Sequence, residues 1–176
     1  IESWRGITNV DAQLMVVDKK EDRSEREEGS SVVVAEINET TGQETVDLIA
    51  KAGGTASFIL LDVTDINSVK AMVEDTCNKY GTIDVLVNNA AAFVMGSVED
   101  ATEDGWIKVL RTNVIGYANC IKEVTPIFRK SGGGSIINMA SVSAFIAQPE
   151  FVPYNASKGA VSQLTRCTAM DLADDH

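Results

Sequence analysis

Residues 31–38, SVVVAEIN, form an unbroken run of β-branched residues that ends in an acid, the pattern of a strand buried on both faces of a parallel sheet. Downstream, 39–54 (ETTGQETVDLIAKAGG) reads as an amphipathic helix with Val46, Ile49 and Ala50 on one face and a closing double glycine. A second buried strand follows at 55–65 (TASFILLDVTD), and Asp65 suits the N-cap of a helix over 66–81. The next strand, 82–93 (TIDVLVNNAAAF), leads to one long helix over 99–130, in which Trp106, Val109, Leu110, Val114, Tyr117, Ile121 and Val124 recur at spacings of three and four. The turn SGGG at 131–134 enters the apolar run SIINMA at 135–140, which reads as a further buried strand. A last helix, Val152 to Asp174, places Ala160, Leu164, Cys167 and Met170 on an apolar face. Strand and helix alternate throughout, which predicts an α/β fold with a doubly wound parallel sheet. In such sheets the site lies beyond the C-terminal strand edge. Glu36, Asp62, Asn88 and Ser141 all fall there.

At 176 residues the chain amounts to about one domain. A hydrophobic content of 44% and a charged content of 23% are those of a soluble globular protein. No apolar run reaches the roughly 18 residues of a membrane span and no signal segment opens the chain, so the expected location is the cytoplasm. The net charge of −11 repels nucleic acid and anionic membranes alike, and neither is expected as a partner. Cys77, Cys120 and Cys167 are far apart, odd in number and on predicted helices, so they read as reduced thiols packed as small apolar residues. With one histidine, the terminal His176, no metal site is expected.

Chemistry concentrates in 141–158, SVSAFIAQPEFVPYNASK. Tyr154 and Lys158 are four apart on a helix and share a face. An ammonium held within a few ångströms of a phenol favours the phenolate, which suits a tyrosine to general acid or base work. Thirteen positions before Tyr154 stands Ser141, whose hydroxyl is placed at a strand end to bond a substrate oxygen.

Ser141, Tyr154-x-x-x-Lys158 and the following GAV together resemble the catalytic segment of the short-chain dehydrogenase/reductase family. Three further elements share the likeness: Asp62-Val63-Thr64-Asp65, Asn88-Asn89-Ala90 and Asn113-Val114. The resemblance covers about residues 28 to 175 and implies a Rossmann-like core. It also implies an NAD(P)-dependent oxidoreductase that moves hydride between the nicotinamide and an alcohol or carbonyl substrate. By resemblance, Tyr154 exchanges the proton, Lys158 supports it and bonds the nicotinamide ribose, Ser141 positions the substrate oxygen, and the opened helix at Asn113 anchors a relay water. Asp62 and the amide of Val63 would hold the adenine. Asn88 would brace the sheet, and Ala90 would make room for the ribose. Where the family has a glycine after Asn-Asn-Ala, this chain has Ala91, whose methyl either crowds the cofactor or is absorbed by a backbone shift. Glu36 reads either as a solvated strand-end acid or as the carboxylate that bonds the adenosine ribose hydroxyls; the latter favours NAD over NADP.

Residues 1–29 form an atypical N-terminal segment before the core at 30–176. AQLMVVD at 12–18 reads as a degenerate first strand, but the charge run KKEDRSEREE follows where a glycine-rich phosphate turn is expected. The family's C-terminal strands and substrate loop have no counterpart either, and Ile1 in place of Met suggests a fragment, truncated at both ends. A second reading therefore stands beside the enzyme: a catalytically silent remnant that associates through its two long helices. Under either reading, homo-oligomers through those helices are expected by resemblance. A third, an unfamiliar phosphate cradle within 1–29, rests only on a few basic residues.

Overall fold

The computed structural model describes Gln13–Asp18 and residues 29–175; His176 and the charge run lie outside them. Among the described residues five strands form one sheet in the order β3-β2-β1-β4-β5. They are β1 (Gln13–Asp18), β2 (Ser30–Glu36), β3 (Thr55–Leu60), β4 (Val85–Asn88) and β5 (Ser135–Asn138). The helices are α1 (Glu39–Lys51), α2 (Ile66–Tyr80), α3 (Glu103–Leu110), α4 (Gly116–Ser131) and α5 (Val152–Asp171).

β2 alternates between two cores, as a strand buried on both faces must. Val33 and Ala35 join Val69, Met72, Val73, Leu86, Ile121, Val124 and Phe128, so α2 and α4 cover one face, with Leu164 of α5 packed against them. Val32 and Val34 pack with Ile49 of α1 on the other. Asp65 is the N-cap of α2, accepting from the Asn67 amide at 2.9 Å. The strands predicted as buried at 55–65 and 135–140 are instead the two edges of the sheet. Along β5 exposure alternates, with Ile136 half-buried and Ile137 49% exposed.

Two differences from the sequence reading affect the site. First, β2 with β3 and β4 with β5 pair in parallel, but β1 pairs antiparallel with both β2 and β4. Gln13 lies opposite Ala35 and Asp18 opposite Ser30, so this central strand enters the sheet at the edge where its four neighbours end. Second, the predicted long helix is divided: a π-turn at Arg111–Ile115, centred on Asn113, separates α3 from α4. Such single-turn insertions cluster at functional sites. Gly116 opens α4 where an added Cβ would lie 2.7 Å from the Val63 side chain, so only glycine lets the bulged helix approach the strand exit after β3.

Candidate active site

The four parallel strands deliver their C-terminal ends to one edge, with Glu36 in register with Leu60 and Asn88 with Asn138. There a cavity of about 530 Å³ is lined by Glu36, Asp62, Val63, Ala90, Phe93 and Thr112, among others. That volume is typical of a small-molecule site, and the position is the switch point of a doubly wound sheet. A Glu36 carboxylate oxygen accepts from the Asn38 amide at 3.1 Å. One Asp62 oxygen accepts from the amide and hydroxyl of Thr64, both at 2.8 Å, which fixes the carboxyl at the cavity wall. Ala91 sits outside the left-handed backbone region, so a residue with a Cβ is accommodated there without strain.

Asn88 braces rather than lines. Its side chain is fully buried and donates to Asn138 Oδ1 at 2.8 Å, while Asn138 donates to Thr165 of α5 at 3.0 Å, so β4, β5 and α5 are tied in one chain of bonds. Asn113 is likewise fully buried. Its carboxamide accepts from the Ala92 amide at 2.7 Å, donates to the Ala92 carbonyl at 3.0 Å and donates to Ser157 Oγ at 3.0 Å. Ser157 in turn donates to the Tyr154 carbonyl at 2.7 Å. One side chain thus clamps the loop after β4 to the turn of α5 that carries Tyr154 and Lys158.

Tyr154 and Lys158 do share a side of α5: the Lys158 Nζ stands over the Tyr154 ring, 5.8 Å from its centroid. Lys158 is 2% exposed and donates to the Met139 carbonyl at 2.7 Å. Burial pulls its pKa below the usual lysine value. A second ring, that of Tyr117, lies 5.7 Å from the same Nζ. Phe93 packs on Tyr154 with centroids 4.6 Å apart, and on Phe151 edge-on at 5.3 Å. Phe93 also lines the cavity, so it joins the two halves of the site. The loop that carries it is pinned to the start of α5 through Gly96, whose amide donates to the Glu150 carbonyl at 2.6 Å. Ser141 N-caps a short turn at Val142–Ala144 that packs against α5. Its oxygen accepts from the Ser143 amide at 3.2 Å, which leaves its own proton to donate.

Met139, Ser157, Tyr117 and Phe93 were not legible as site residues. Tyr117 fell on an apolar helical stripe, and the Met139 contact is made by backbone. Among the described residues no group of three or more His, Cys, Asp or Glu gathers as a metal site, and no helix is long and apolar enough to cross a membrane. The cysteines form no disulfide among the described residues; Cys120 is buried and Cys77 partly so, whereas Cys167 is exposed and not packed as expected, and with Met170 it leaves that end of the α5 apolar face off the sheet.

Residues 23–176 match the sequence pattern described as short chain dehydrogenase. An uncharacterised oxidoreductase of Thermotoga maritima is 41% identical over 150 residues, which is 85% of this chain and 59% of that protein. NAD⁺-bound xylitol dehydrogenase superposes with a TM-score of 0.80 at 28% identity, over 83% of this chain and 56% of the other. A gluconate 5-dehydrogenase from Burkholderia cenocepacia, in complex with NADP and tartrate, gives a TM-score of 0.76 at 31% identity, over 81% and 56%. The chain thus spans less than two thirds of the length of these proteins.

Proposed function

The chain belongs to the short-chain dehydrogenase family, and on that premise we propose that it is the catalytic core of a nicotinamide-dependent oxidoreductase acting on an alcohol or carbonyl substrate, with NAD preferred. The observation that carries this reading is the assembly around α5. The Tyr154 ring, the buried Lys158 ammonium and the Asn113 clamp meet in one place, beside a cavity at the strand ends. The residues fit the nucleoside ends of such a cofactor. Of the residues that line the cavity, Glu36 would accept from ribose hydroxyls, Asp62 and Val63 would hold an adenine, and Ala90 would leave room for the second ribose; Lys158, beside Tyr154, would donate to that ribose's hydroxyls. When bound, the nicotinamide supplies or takes the hydride.

Everything else is work for this chain's own groups. Tyr154 passes a proton between its hydroxyl and the substrate oxygen. Lys158 holds a positive charge beside the phenol, so the proton leaves an anion next to a cation rather than in an apolar pocket. Ser141 donates its hydroxyl proton to the same substrate oxygen and fixes its direction. Asn113 keeps the loop after β4 against α5, and by family resemblance its carbonyl would hold the relay water. Phe93 packs on the Tyr154 ring and restricts where it can turn. Glu36 repels a 2′-phosphate, which is the reason for preferring NAD.

An inert module that only associates through its helices would not need a buried lysine or a buried asparagine with three bonds. Ile107 and Ile115, both about half exposed on α3 and the π-turn, support association of copies through these helices, which light scattering tests. The catalytic reading is tested with the purified chain, NAD and a panel of secondary alcohols, following NADH absorbance. Turnover is expected, and Tyr154→Phe should abolish it with an unchanged circular dichroism spectrum. Equal turnover by Tyr154→Phe sinks the assignment.

A further inference from the structure

We propose that Tyr117 is a positioning residue for Lys158: its ring face holds the ammonium at the Met139 carbonyl, on the side of α5 that carries Tyr154. The proposal rests on the catalytic reading above and adds to it a group on a different helix.

Tyr117 is the second residue of α4, directly after the π-turn, and is fully buried. Its ring centroid lies 5.7 Å from Lys158 Nζ, almost the distance to the Tyr154 centroid at 5.8 Å. The ammonium therefore stands against two aromatic rings. A cation within about 6 Å of a ring face is attracted by the ring's quadrupole, and more strongly where water is excluded. Lys158 is nearly inaccessible to water, so this attraction is unscreened. The Met139 carbonyl accepts from both side chains, from Lys158 Nζ at 2.7 Å and from the Tyr117 hydroxyl at a longer 3.4 Å. A carbonyl has two lone pairs, so the two donors need not compete.

A lysine is a point charge on a flexible stem, and nothing in its own geometry fixes where that charge sits. Here the carbonyl sets its distance and the two rings set its direction. The titratable groups around the pair are Tyr154 on α5 and Cys120 on α4. Burial, then Tyr154 and Cys120, push the Tyr117 phenol above its ordinary range, so it remains a neutral donor throughout the working range. Burial opposes the charge on Lys158, and the Met139 carbonyl and the two rings offset part of that loss. Asn113 reaches Ser157 and Tyr117 reaches Lys158, so the π-turn and the first turn of α4 together set two adjacent residues of α5.

The test needs no turnover, so its failure is separable from failure of the hydride-transfer reading. Protein labelled with ¹³C at lysine Cε is titrated by NMR, with the Lys158 signal assigned through Lys158→Arg. Tyr117→Phe keeps the ring and should leave the Lys158 titration in place. Tyr117→Met fills much of the same space without a ring and should lower the Lys158 pKa by about half a unit to one unit. No shift, an upward shift, or equal shifts in both variants overturns the proposal. Should Tyr117→Met fail to fold, phenylalanine carrying zero, one or two ring fluorines at position 117 asks the same question at nearly constant shape. The Lys158 pKa should fall as fluorines weaken the negative face of the ring, and a flat series overturns the proposal. In active protein, Tyr117→Met should lower kcat more than it changes KM for the alcohol, with Tyr117→Phe restoring it.

Discussion

Asn113→Ala would separate a bracing role from the water-relay role that family resemblance alone suggests for this position. The side chain makes three hydrogen bonds, two with the Ala92 backbone and one with Ser157. Truncation leaves the Ala92 amide and carbonyl without partners where Ala92 is only 8% exposed. Ser157 is less affected, because it keeps its bond to the Tyr154 carbonyl. Two buried orphans at about 1–3 kcal/mol each, less about 0.7 kcal/mol for the better helix propensity of alanine, give a loss of about 3 kcal/mol. A domain of this kind has about 5–15 kcal/mol in total, so the variant should fold but with a large fraction of its stability gone. In a urea titration the midpoint should fall with an unchanged slope, and thermal unfolding should shift down by about 6–12 °C. Turnover should fall as well, since the clamp sets Phe93 and α5. Asn113→Asp should do as badly, because an ionised carboxylate accepts from the Ala92 amide but meets the Ala92 carbonyl with a like partial charge. A loss below about 1 kcal/mol in Asn113→Ala, or a near-normal Asn113→Asp, would refute the bracing argument.

Other variants probe the remaining parts. Glu36→Ser removes the carboxylate that opposes a 2′-phosphate, and kcat/KM for NADP relative to NAD should rise by about tenfold or more; an unchanged ratio would show that Glu36 is only a solvated acid. Lys158→Met should abolish turnover yet raise the thermal midpoint at neutral pH, since a buried charge is removed. Because burial lowers the folded-state pKa of Lys158, the unfolded chain binds more protons between that value and 10.5, so wild-type stability gains as pH rises through this window. The advantage of Lys158→Met should therefore shrink at alkaline pH, and a constant difference would count against the burial argument. Gly116→Ala puts a methyl 2.7 Å from the Val63 side chain and should cost about 1–3 kcal/mol, with weaker adenosine binding by calorimetry. A stabilised Gly116→Ala would show that the π-turn does not need its close approach to the strand exit.

Much of the candidate site was legible because the residues proposed for it sit where local pattern is strongest. Glu36 and Asn88 close strands, and Tyr154 and Lys158 are one helical turn apart. The approach of Tyr117 and Met139 to Lys158 depends on how α4 and β5 pack on α5, which no local spacing encodes. Periodicity at positions 106–124 was nearly unbroken, so the division of that helix was signalled only by Asn113 and by the Asn-Val likeness. The edge character of β5 was hidden for a related reason. SIINMA is apolar enough for a buried strand, and only the strand order places it last in the sheet.

The direction of β1 has the widest consequence. Strand propensity and side-chain alternation are the same read forwards or backwards, so a run such as QLMVVD specifies a strand without specifying its sense. Only the neighbours choose, and an antiparallel pair can be closed by a short connection where a parallel pair requires a crossover. Asp18, where β1 ends, lies opposite Ser30, where β2 begins. In a dinucleotide fold, the first strand normally ends at the ligand edge and hands the chain to a glycine turn and a helix N-terminus, which present amides to a diphosphate. Here the strand that occupies that slot begins at the ligand edge and ends at the opposite one. The four parallel neighbours still bring Glu36, Asp62, Asn88 and Ser141 to a common rim. The groups proposed for the nucleoside and for proton transfer thus sit at or beyond strand ends that do not depend on the sense of β1, whereas β1 itself ends away from this edge.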